Sequence, residues 1–184
     1  MGQELIIFID SGDTLIDETS QVYDVHGIVT EAALIEGAEQ LLKQLHEDGF
    51  TVVMVADGEV ESFRNVYRNN GLRYCFDEWV ISEEVGKQKP EAIMFETAYK
   101  ALGLTEADKK RIVMIGNNLK KDIAGANRQG LISIWMDWSP RYFHSVEEPD
   151  WQPDYTVKKP LELLPLLYRL NEELKDINRQ EREG

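Results

Sequence analysis

The sequence predicts an α/β fold, a doubly wound parallel sheet with helices on both faces, on two observations. Five short apolar runs recur at residues 5–9, 51–56, 79–81, 112–115 and 131–135, the pattern of strands buried on both sides. Stretches of helical spacing separate them and close on glycine at Gly49, Gly71, Gly103 and Gly130, where a left-handed residue commonly ends a helix. Strand and helix in alternation favour right-handed crossovers and hence parallel pairing.

The first run ends at Asp10. Residues 15–36, with Asp17, Glu18, Asp24 and Glu31, exceed an ordinary strand-to-helix connection and show no long helical stripe, so they read as a small flap. Ala38, Leu41, Leu42 and Leu45 then keep helical spacing up to Gly49, and the second strand begins almost at once. A stripe of Val60, Phe63 and Tyr67 leads to Gly71, a helix opened by Pro90 leads to Gly103, and Ile123 with Ala126 leads to Gly130. Residues 137–154, with Pro140, Pro149, Pro153, Trp138 and Trp151, read as an irregular loop, and Tyr155-Thr156-Val157 as a short edge strand. Residues 160–184 form a terminal helix marked by Leu161, Leu164, Leu167, Leu170 and Leu174, whose charged last turns are expected to fray. One domain is expected to span residues 1–184.

Composition narrows the function. The 34 acidic against 20 basic residues give a formal charge of −14, which repels nucleic-acid phosphates and anionic membranes. No run approaches the roughly 20 apolar residues of a membrane span, and the start of the chain has no basic region or cleavage site. A single cysteine, Cys75, fits a reducing compartment, so a cytoplasmic location is expected. His26, His46 and His144 are too scattered to predict a zinc site.

Open α/β sheets bind ligands at the carboxyl ends of their strands, beside the point where strand order reverses. Four such ends are polar here. They are Asp10-Ser11-Gly12-Asp13-Thr14-Leu15, Ala56-Asp57-Gly58, Lys87-Gln88-Lys89-Pro90, and Gly116-Asn117-Asn118 with Asp122 a turn later. In this order and spacing, over about residues 5–135, the set resembles the haloacid dehalogenase (HAD) superfamily, mostly magnesium-dependent phosphatases with an aspartate nucleophile at the end of the first strand.

The resemblance implies a Rossmann-like sheet and a hydrolase in which Asp10 attacks phosphorus, giving an aspartyl-phosphate that water hydrolyses. It implies Mg2+ held by Asp10, the Gly12 carbonyl and Asn117, with Asp122 behind. Lys89 becomes the compact counter-charge between nucleophile and phosphate. The chain around Ser11, Gly12, Ala56, Asp57 and Gly58 would cradle the remaining oxygens of a small or larger phosphorylated substrate.

Three positions depart from the family pattern. Gly12 stands where the phosphatases carry a second, acid/base aspartate, a kind of catalysis worth about 10²–10⁴ in rate, so turnover of ordinary alkyl phosphates is expected to be slow by that order unless Asp13, Asp57 or a flap carboxylate substitutes. Ala56 replaces a hydroxyl residue and loses a hydrogen bond of about 0.5–1.5 kcal/mol. Asn117 replaces the commoner aspartate, which predicts weaker magnesium binding. Asp13, Asp17, Glu18, Asp57 and Glu59 otherwise read as solvated loop charges, and residues 135–143 as aromatic packing. The flap is much shorter than a helical cap, which predicts an open pocket. Two alternatives stay open: a catalytically impaired member that binds a phosphorylated ligand or partner, and a 2-haloacid dehalogenase, since that class also lacks the second aspartate.

Overall fold

The computed structural model describes residues 2–183; Met1 and Gly184, the ends of the expected domain, lie outside it. Strand β1 (Ile6–Ile9) is followed by a hairpin of β2 (Val22–Tyr23) and β3 (Val29–Glu31), then by helix α1 (Ala38–Glu47) and strand β4 (Thr51–Ala56). Helix α2 (Val60–Asn69) leads to β5 (Glu78–Ile81), the single turn α3 (Ser82–Val85) and helix α4 (Ala92–Ala101). Strand β6 (Ile112–Gly116), helix α5 (Ala124–Gln129), strand β7 (Ile132–Met136), strand β8 (Tyr155–Val157) and helix α6 (Leu163–Glu183) complete the chain.

Six strands form one parallel sheet in the order β5-β4-β1-β6-β7-β8. Both faces are buried, as the uninterrupted apolar runs require. Ile7 and Ile9 of β1, with Val52 and Met54 of β4, point to the layer of α1, α2 and α6. Ile6, Phe8, Val53 and Val55 point to α4 and α5 on the other face. From β1 the chain moves outward through β4 and β5, then returns to β1's other flank as β6. The order therefore reverses between β1 and β6, the point that leaves a crevice at the strands' carboxyl ends.

The flap is the small β2–β3 hairpin, and α2 covers its edge. Ser62 Oγ accepts the Val29 N–H at 3.0 Å, while Asn65, Asn69 and Asn70 donate side-chain amides to the Val29, Thr30 and Ala32 carbonyls. Residues 137–154 are irregular apart from one short turn at Pro149–Trp151, and β8 pairs with β7 as the edge strand. The terminal helix begins at Leu163. It continues to Glu183, braced by the pairs Arg169–Glu173, Lys175–Glu172 and Arg179–Asp176 at three- or four-residue spacing, which favour helix by a few tenths of a kcal/mol each. Among the described residues no helix is long and apolar enough to cross a membrane.

Candidate active site

Asp10 leaves β1 where the sheet order reverses, its own N–H still bonded to the Ile115 carbonyl of β6 at 2.9 Å. Lys89 reaches it from the loop before α4, which carries a cis Lys89–Pro90 bond. The Lys89 Nζ donates to Asp10 Oδ1 at 2.6 Å and to the Val55 carbonyl at 2.7 Å. It also lies 2.7 Å from Asp122 Oδ1, off the direction of a hydrogen bond, so that attraction is Coulombic. All three side chains are buried. Burial pushes the Asp10 carboxyl up to about 7; Lys89 draws it back and Asp122 pushes it further up. Burial alone would discharge Lys89, but the carboxylates of Asp10, Asp122 and Asp57 outweigh it and hold the ammonium above its ordinary value.

Asp122 approaches because Gly116 has no side chain: a Cβ there would fall 2.2 Å from the Asp122 Cγ. Its Oδ2 accepts the Asn118 N–H at 2.9 Å, and Asn118 in turn caps the next turn by accepting from the Lys120 and Lys121 N–H groups. Asp10 Oδ2 and Asn117 Oδ1 both face the Thr14 hydroxyl, at 3.4 and 3.5 Å. Asn117 Nδ2 is buried without a partner.

Among the described residues no three His, Cys, Asp or Glu side chains converge as a metal site. The groups named for magnesium are two carboxylates, an amide and the Gly12 carbonyl, a set below that count. Asp10 Oδ2 and Asn117 Oδ1 nonetheless have only long contacts with the Thr14 hydroxyl, and the buried Asn117 Nδ2 has no partner among the described residues. Every donor is a hard oxygen, the kind Mg2+ takes, so the residues fit that ion.

The proposed phosphate cradle is only partly available. The Ser11 hydroxyl is turned into the core against the Tyr67 hydroxyl at 2.8 Å, and Ala56 is a core residue at the end of β4. The Gly58 N–H is engaged by Ser82 Oγ at 2.9 Å. With φ 151° and Phe63 carbons 3.0 and 3.1 Å from an added Cβ, position 58 requires glycine. Asp57 is an anchor rather than a solvated charge: its Oδ1 accepts the Lys89 N–H at 3.0 Å and its Oδ2 the Lys121 ammonium at 2.8 Å.

A second cluster was not anticipated. Asp13, read as a solvated charge, is fully buried, with φ 48°. Its Oδ1 accepts the Glu18 N–H at 3.0 Å, and its Oδ2 accepts Ser139 Oγ and Arg141 Nε, both at 2.8 Å. Trp138 Nε1 donates to its carbonyl. Arg141 Nη2 also donates to Glu18 Oε2, as does the Tyr142 hydroxyl at 3.3 Å. The loop after β7 thus straps the flap to the centre instead of only packing aromatics. Burial pushes the Glu18 carboxyl up, Asp13 adds to this, Arg141 opposes it and Asp10 adds again. A cavity of about 610 Å³ opens between flap and α2, walled by Ser11, Gly12, Glu18, Asp57 and Gly58 at its inner end.

A parallel sheet carrying a buried aspartate–lysine–aspartate centre at its reversal point is an α/β fold with one charged site at its strand ends. The haloacid dehalogenase-like hydrolase family model matches residues 5–130, and the chain belongs to that family. It is 35% identical over 136 residues to a glyceraldehyde 3-phosphate phosphatase of Methanopyrus kandleri, covering 70% of this chain and 54% of the relative. A phosphoserine phosphatase of Thermus thermophilus is 30% identical over 65% of this chain and 45% of its own length. The chain spans about half the length of these curated relatives. The HAD-hydrolase YfnB of Bacillus subtilis, solved bound to magnesium, superposes with TM-score 0.64 at 28% identity, over 73% of this chain and 56% of that one.

Proposed function

We propose that the protein is a magnesium-dependent phosphatase that hydrolyses phosphate monoesters through an aspartyl-phosphate on Asp10. The observation that carries this reading is the division of labour on one buried carboxylate. Lys89 holds Asp10 Oδ1 at 2.6 Å, while the Thr14 hydroxyl stands 3.4 Å from Oδ2, a long contact that leaves this oxygen available to attack phosphorus. The Lys89 ammonium sits where it offsets charge on the phosphoryl oxygens as they approach. Asp57 fixes the Lys89 backbone, and Asp122 holds the ammonium from behind. Asp10, the Gly12 carbonyl, Asn117 and Asp122 would hold Mg2+, which when bound supplies positive charge against the nucleophile's repulsion from the phosphoryl group. The curated relatives named above are phosphatases, which favours phosphate over haloacid substrates.

The test is phosphate release from alkyl, sugar, nucleotide, aryl and acyl phosphates, with and without Mg2+, by the native chain and by Asp10→Asn. Magnesium-dependent release lost in the variant is the expected result. Tight binding of phosphorylated compounds without release would instead identify a binding protein, and metal-independent halide release from 2-haloacids a dehalogenase.

A further inference from the structure

We propose, on the phosphatase reading, that Glu18 delivers the proton to the departing alcohol oxygen and afterwards takes a proton from the hydrolytic water. In-line attack by Asp10 leaves an alkoxide unless a proton donor stands beside the leaving oxygen, on the cavity side of the nucleophile. Asp13, Asp57 and Glu18 are the carboxylates that share hydrogen bonds or charge with the segments carrying Asp10 and Lys89. Asp13 is fully buried, and both its oxygens are engaged, Oδ1 by the Glu18 N–H and Oδ2 by Ser139 and Arg141. Asp57 has one oxygen on the Lys89 N–H and the other on the Lys121 ammonium. Glu18 alone divides its carboxylate: Oε2 is anchored by Arg141 and Tyr142, and Oε1 is turned toward Gly12.

The fit at Gly12 is close. A Cβ there would lie 1.9 Å from Glu18 Oε1 and 2.7 Å from its Cδ. The Glu18 carboxylate therefore fills the place of a side chain two residues after the nucleophile, on the cavity wall. It arrives there by folding of the flap, with the Glu18 N–H tied to Asp13 and the carboxylate tied to the loop after β7. An ion pair near the surface contributes little, so the Arg141 contact by itself gives little reason to aim the other oxygen at the glycine. In the first step the Asp10 oxygen bonds to phosphorus as the ester P–O bond breaks, and the Glu18 proton passes to the leaving oxygen. In the second, water oxygen bonds to phosphorus and the Asp10 O–P bond breaks. The water's proton returns to Glu18, and phosphate is freed.

Single-turnover and steady-state kinetics of Glu18→Gln, Glu18→Ala and the double variant Gly12→Asp/Glu18→Ala test this, with Mg2+ present and melting curves confirming the fold. In Glu18→Gln the first turnover of an alkyl phosphate should slow by about 10²–10⁴. That of an aryl or acyl phosphate, whose leaving group needs no proton, should change by less than about tenfold and appear as a burst before slow dephosphorylation. Gly12 does not require a left-handed backbone, and only the Glu18 tip obstructs its Cβ. The double variant, carrying its carboxylate on residue 12, should regain most of what Glu18→Ala loses. Native turnover that Asp10→Asn abolishes but Glu18→Gln leaves within about twofold overturns the assignment alone. So does an equal slowing of alkyl and aryl phosphates, the mark of a merely structural role. Absence of Asp10-dependent turnover in the native chain overturns the phosphatase reading and this assignment with it, before any Glu18 variant is measured.

Discussion

Replacing Gly116 by alanine would put a methyl group 2.2 Å from the Asp122 Cγ, 2.3 Å from Oδ2 and 2.5 Å from Cβ. These are not the far atoms of a long, flexible chain. Asp122 is 1% exposed, with Oδ2 bonded to the Asn118 N–H and Oδ1 against the Lys89 ammonium. Restoring ordinary carbon contact moves the carboxylate by more than about an ångström, which ends both contacts together. Breaking one side of a buried ion pair costs about 3–5 kcal/mol. Lys89 keeps Asp10 and the Val55 carbonyl, which places the expected loss near the lower bound, about 3 kcal/mol. For a chain of this length that lowers the melting temperature by roughly 6–12 °C.

The assay is thermal unfolding of the native chain, Gly116→Ala, Asp122→Ala and the double variant. Because Asp122→Ala vacates the space the new methyl needs, the double variant should be less damaged than the sum of the singles by more than about 1 kcal/mol. A Gly116→Ala protein melting within about 2 °C of native, or strictly additive losses, would refute the claim that this glycine exists to admit Asp122.

Asp10 titrates with a sign opposite to that of most carboxylates. Its folded value, raised to about 7 by burial, lies above the ordinary 3.8, so its stabilising contribution is complete below about pH 4 and is lost as the pH rises through 7. At about 1.4 kcal/mol per unit the loss is about 4 kcal/mol, and metal-free Asp10→Asn should gain on the native chain in melting temperature between about pH 5 and pH 8; parallel curves would remove the basis for it. Tyr67→Phe strands the buried Ser11 hydroxyl and should cost about 1–3 kcal/mol in denaturant unfolding, whereas an unchanged midpoint would show the Ser11–Tyr67 bond to be idle. Arg141→Ala removes the strap between the loop after β7 and the flap, and limited proteolysis should then cut residues 18–33 sooner than in the native chain; equal cleavage rates would show that other contacts hold the hairpin.

The sheet was legible because its strands are buried on both faces, so apolar runs such as 51–56 stand out without alternation. Asp10, Lys89 and Asp122 were legible because four strand ends carry polar residues and because their order and spacing resemble those of haloacid dehalogenase-like hydrolases. The Asp13–Glu18–Arg141 cluster was not. Its contacts join two segments without periodicity, 123 to 128 residues apart, and an acidic residue in a loop is ordinarily solvated. The one available signal was Arg141, the only lysine or arginine between residues 129 and 157. For position 12 the sequence left Asp13, Asp57 and the flap carboxylates as equal substitutes, and no spacing rule predicts that a flap residue six positions onward folds back into that place.

On the proposed phosphatase reading, the charge balance of the centre bears on why a divalent ion would be needed. Counted with every carboxylate ionised, Asp10, Asp57 and Asp122 meet two ammonium groups, Lys89 and Lys121, within direct contact, leaving one negative charge in excess. The neighbouring set of Asp13, Glu18 and Arg141 is likewise one negative in excess when both carboxylates are ionised. A phosphate monoester dianion entering between them raises the charge of the first set alone to minus three, in surroundings where burial already penalises each unpaired charge. One divalent cation would return that set to minus one, the balance it has before substrate enters. Asn117 in place of a carboxylate keeps the excess from growing by one more before metal or substrate arrives, at the expense of a weaker metal ligand. The same amide that predicts loose magnesium binding therefore limits the repulsion the buried centre must hold without it.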